Sequence, residues 1–120
     1  ALAEVWTKPI QQVVPPERTI LILGNDWNPN AFYYAERKGI GYPTVAGVPF
    51  PSPIFEESLG LFNENDRLGA VVINEVWFTE NRGLFLEWIR KLGMSTSAIR
   101  TGFGLMFPAL DLRPISPRSE

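Results

Sequence analysis

A chain of 120 residues with 45% hydrophobic and 20% charged side chains has the make-up of one folded domain with room for a core. The 11 Lys and Arg residues are scattered among 13 acidic ones, and the net charge is −2. That balance excludes a dedicated nucleic-acid binder, because neutralising phosphates takes a basic patch. With no Cys and no His, thiol and imidazole catalysis, Cys/His zinc sites and disulfides are excluded too.

Carboxylates and carbonyls alone would have to hold any metal, and no loop carries the ligand spacing of a hard-cation site. No metal and no cofactor are therefore expected. No apolar run approaches the ~20 residues needed to cross a bilayer. The start at Ala1, without an initiator Met, fits a processed protein or a domain cut from a longer chain.

In chain order, Ala3 to Val14 is ambiguous. Val5, Trp6, Ile10, Val13 and Val14 fit one face of a helix, whereas Pro9 weakens its middle and Pro15-Pro16 ends it. Thr19 to Leu23 (TILIL) is an apolar, β-branched run closed by Gly24, the pattern of a strand buried on both faces. Asn28 as N-cap and Pro29 at the first helical position predict a helix through Phe32, Ala35 and Lys38, stopping at Gly39. Arg37 and Lys38 suit the negative end of its dipole.

Pro43 to Val48 reads as a second strand, followed by a loop punctuated by Pro49, Pro51 and Pro53. Ser52 and Pro53 open a short helix in which Phe55, Leu59 and Phe62 follow helical spacing. After a polar turn from Asn63 to Gly69, Ala70 to Asn74 (AVVIN) is the next buried strand. Asn81 is placed to cap an amphipathic helix with the stripe Leu84, Phe85, Trp88, Ile89 and Leu92, and Gly93 closes it. Glu87 and Lys91 pair on its outer side. Thr101 to Phe107 reads as the last strand, with Gly102-Phe103-Gly104 marking a bulge or tight packing. Residues 108–120 form a proline-rich, partly ordered C-terminal strap, and residues 1–120 a single domain.

Strands alternating with helices imply right-handed crossovers and a parallel sheet. The expected architecture is a small Rossmann-like, three-layer α/β domain. Its sheet is mostly parallel and four-stranded, in the order 2-1-3-4, with helices on both faces.

Ligands of such sheets lie beyond the C-terminal ends of the strands, where the strand order reverses. Here that crevice falls between the first and third strands, walled by Asn25, Asp26, Trp27 and Asn28 on one side and by Asn74, Glu75, Val76 and Trp77 on the other. Asp26 and Glu75 facing one another would form a carboxylate pair for acid–base work. The same residues also suit turns and caps, and the two indoles could simply roof the sheet. A dinucleotide site is not expected, since the turn after the first strand has Gly24 alone where three glycines are needed. Tyr33, Tyr34, Glu36, Arg37 and Lys38 mix aromatic and charged character, as interfaces and sugar sites do.

The stretch ILILGNDWNPNAFYYAERKGI, from Ile20 to Ile40, carries a resemblance. A hydrophobic strand, then Gly24-Asn25-Asp26-Trp27, a polar turn, and a helix bearing Tyr33, Tyr34, Arg37 and Lys38 resembles the soluble C-terminal domain of polytopic membrane glycosyltransferases. These are the polyprenol-phosphate-sugar-dependent enzymes related to protein O-mannosyltransferases and aminoarabinose transferases (glycosyltransferase family 39). The likeness is sharp over this stretch and loose over most of the rest.

The resemblance implies a small α/β layer on the extracytoplasmic or periplasmic face of a membrane, tethered to the transmembrane part of its own parent chain. Catalytic acids in that family sit in the transmembrane part, so no catalytic residue carries over. The matched residues Gly24, Asp26, Trp27, Tyr33, Tyr34 and Arg37 carry over without a role.

Three functions follow as expectations. The first is a non-catalytic accessory domain that contacts an acceptor, a glycan or a lipid-linked sugar through Asp26, Trp27, Asn28, Tyr34, Arg37, Glu75 and Trp77. The second is a small stand-alone enzyme using Asp26 and Glu75, with or without Mg²⁺. The third is a purely structural or interaction domain.

Overall fold

A computed structural model describes residues 2–24, 39–42, 56–57, 59–60, 68–102 and 104–112. The elements in these stretches are helix α1 (Leu2–Val13), strands β1 (Thr19–Leu23), β2 (Gly39–Tyr42) and β3 (Leu68–Ile73), helices α2 (Glu75–Glu80) and α3 (Arg82–Leu92), and strands β4 (Ile99–Thr101) and β5 (Gly104–Pro108). Residues 56, 57, 59 and 60 are also helical.

The sheet is five-stranded, in the order β2-β1-β3-β5-β4. β1 pairs parallel with both β2 and β3, whereas β5 runs antiparallel to both β3 and β4. The mostly parallel, four-stranded Rossmann-like sheet of order 2-1-3-4 is therefore corrected: the domain is small and α/β, but its sheet is mixed. The reason lies between Thr101 and Gly104, which face each other across the ladder. Only residues 102 and 103 separate them, and a parallel crossover needs a dozen or more. What reads as one strand from Thr101 to Phe107 is thus a hairpin. Helices α2 and α3 carry the chain from β3 past one position to β4, and β5 returns to fill the gap.

Two other expectations move. β2 lies at Gly39–Tyr42, in register with Ile20–Leu23, where a helix end was expected. The strand expected at Pro43 to Val48 and the helix from Asn28 to Lys38 lie outside the described residues. α1 accommodates Pro9 and runs on to Val13.

Alternation along the buried strands splits the core between two faces, as the two-residue period of a strand requires. Ile20, Ile22, Ala70, Val72 and Met106 face Ile10 of α1 and Val14 just after it. Leu21, Leu23, Val71, Ile73 and Phe107 face Phe78 of α2, Phe85, Trp88 and Ile89 of α3, and Leu59. Leu84, placed by its spacing on the buried stripe of α3, is instead 43% exposed. α3 ends as expected: Gly93, at φ 84°, donates to the Arg90 carbonyl, and Met94 donates to that of Ile89.

β3 begins with an irregularity. Thr19 pairs with Leu68 but Ile20 pairs with Ala70, so Gly69 is the extra residue of a bulge. A Cβ on Gly69 would sit 2.7 Å from Cβ of Arg18 and 2.8 Å from Cγ1 of Val14. The missing side chain lets the connection from α1 to β1 lie directly against β3.

Candidate functional site

Of the residues expected around the mouth of the sheet, Asp26, Trp27, Asn28, Tyr34 and Arg37 lie outside the described residues. Glu75 and Trp77 are described, and the structure gives each a specific neighbour.

β3 does not open into a loop at its C-terminal end. The Asn74 amide still donates to the carbonyl of Leu23, the last residue of β1, at 2.9 Å, so the seam between β1 and β3 stays closed one residue beyond β3. The chain then turns straight into α2. The Asn74 side chain caps that helix, its Oδ1 accepting from the Trp77 amide at 3.1 Å. Glu75 takes the first position, where a negative charge suits the helix dipole. The cap role that suits an Asn after a buried strand is thus present at Asn74, and the helix it opens, α2, is an addition to the one expected after Asn81.

Asn81 does stand before α3, but its side chain makes no cap bond there. It reaches backwards instead, Nδ2 donating to the Trp77 carbonyl at 3.1 Å. One Asn therefore opens α2 and the other helps to close it, which fixes the short helix at both ends.

Glu75 Oε1 accepts from Arg100 Nη1 at 3.1 Å, across from β4. Both side chains are open to solvent, Arg100 at 72% and Glu75 at 44%. Sequence reasoning missed Arg100 because it placed no strand at Ile99–Thr101. The hairpin is what brings this guanidinium to the end of β3. A carboxylate in that setting is a solvated ion-pair partner.

Trp77 is half-buried and packs edge-on against Phe85, ring centroids 5.0 Å apart and planes at 81°. Phe78 stacks on Phe85 from the same helix and touches Phe107, while Arg82 lies over the Phe78 ring with its guanidinium carbon 5.5 Å from the centroid. This aromatic block locks α2 onto α3 and the sheet. The indole of Trp77 belongs to it.

The hairpin flanks the same end of the sheet. Thr101 Oγ1 donates to the Gly104 carbonyl at 2.9 Å. Gly104 has φ 144° and lies against the Ile73 carbonyl and the Asn74 amide nitrogen, so a side chain there would drive into the backbone of β3. The tight packing expected at these glycines is present at Gly104, and it pins the hairpin to the point where α2 begins.

A second feature lies at the opposite end of the sheet. A cavity of about 360 Å³ is lined by Arg18, Leu68, Leu92, Gly93, Met94, Ala109, Leu110 and Asp111. Arg18 donates to both carboxylate oxygens of Asp111 and to the Leu68 carbonyl. Neither Arg18 nor Asp111 was singled out in the sequence, since neither sits in a motif and the two meet only through the fold.

Among the described residues no group of three or more acidic side chains could hold a metal ion, and no helix is long and apolar enough to cross a membrane. Comparisons of the chain with protein-family models, with curated proteins and with solved structures found no match.

Proposed function

We propose that this chain is a non-catalytic accessory domain, of the kind that a membrane-bound glycosyltransferase carries outside its catalytic part. The observation that carries the non-catalytic half of this reading is the use made of the β3 exit. There Asn74 is a cap, Glu75 is paired with Arg100 and Trp77 is packed on Phe85. A carboxylate enzyme built on Asp26 and Glu75 would need Glu75 released from its pairing with Arg100.

The glycosyltransferase half rests on the resemblance of Ile20 to Ile40. It brings with it an extracytoplasmic location and a contact with the transmembrane part of the parent chain. Within this reading the sugar-facing surface is the turn of Asp26 and Trp27 with Tyr34 and Arg37. An indole stacked on a sugar ring beside a carboxylate is a sound carbohydrate contact.

The test is calorimetric titration of the chain with soluble oligosaccharides, the unmodified protein beside Trp27→Ala, with circular dichroism to confirm folding. Saturable binding that disappears in a folded variant supports the reading. Equal affinity in both overturns the assigned surface, and no binding by either leaves a purely structural or interaction domain as the function.

A further inference from the structure

We draw no further inference here: the strongest candidate, the cavity between Arg18, the C-terminal end of α3 and the turn after β5, carries nothing because its guanidinium is already held by Asp111 and the Leu68 carbonyl and nothing in the structure shows what would enter it.

Discussion

Arg18 grips both carboxylate oxygens of Asp111, a residue 93 positions further along the chain, at 3.3 and 2.8 Å. The contact ties the entrance of β1 to the turn that follows β5. Its two ends differ in setting, with 12% of the Arg18 side chain exposed against 48% of Asp111.

That asymmetry sets the expected cost of breaking the pair. Asp111→Asn removes an attraction that solvent already weakens, and should cost less than about 1 kcal/mol. Arg18→Ala also loses the bond to the Leu68 carbonyl and the stem packed beside Gly69, and should cost about 1–3 kcal/mol. Arg18→Lys should restore only part of the loss, because an ammonium cannot form the two-pronged contact. Urea denaturation of the three variants measures this, and equal costs for Asp111→Asn and Arg18→Ala would contradict it.

Gly104 and Gly83 should respond to alanine in opposite directions. At Gly104 both the positive φ and the Ile73 carbonyl forbid a side chain, so Gly104→Ala should destabilise by at least about 2 kcal/mol. Gly83 lies in the first turn of α3 with open space where a Cβ would go, so Gly83→Ala should stabilise by about 0.4–1 kcal/mol. Thermal melts decide both; a raised midpoint for Gly104→Ala would show that the hairpin can shift away from β3.

The two asparagines flanking α2 provide a matched comparison. Asn74→Ala removes a side-chain cap and should cost about 1 kcal/mol. Asn81→Ala removes a bond to a helix-terminal carbonyl that water can replace, and should cost about half as much. Chemical denaturation would show the order reversed if Asn81 were, as its position in the sequence suggests, the principal cap.

Local signals were strong where one segment decides its own structure. TILIL reads as a buried strand because every position is β-branched or leucine and all but Thr19 are apolar, and all of it is buried. Phe85, Trp88 and Ile89 recur at helical spacing and are buried. Leu84 shares that spacing yet faces outwards, since helical period defines an arc and the sheet decides how much of it is covered.

Longer-range features were not readable. Whether Ile99–Thr101 and Gly104–Pro108 make one strand or two turns on a pairing between them, not on the propensity of either. The pairing of Glu75 with Arg100 follows from that hairpin and was hidden with it. The reversal of strand order between β1 and β3 locates the candidate mouth, but it does not tell that Asn74 continues the seam there and starts a helix.

Glu75→Gln tests whether Glu75 takes part in ligand contact. Removing one partner of so exposed a pair should change stability by no more than about 0.5 kcal/mol. With Glu75 engaged by Arg100, the substitution should also leave oligosaccharide affinity unchanged. Calorimetric titration in which Glu75→Gln abolishes binding, with the fold intact, would return Glu75 to the sugar-contacting residues and overturn its assignment to the Arg100 pair alone.

The late return of β5 covers an edge of β3 that another molecule could otherwise pair with. β3 is apolar along its whole length and buried throughout. Until residues 104–108 pair with it, one long edge of that strand carries unbonded backbone groups beside valine and isoleucine, the composition most prone to joining the edge of another molecule. The short, outermost β4 takes over the exposed rim and presents Arg100 there instead. The last two strands thus act as a gatekeeper against self-association. A chain shortened before Ile99 would lose that protection even with both helices of its second half present.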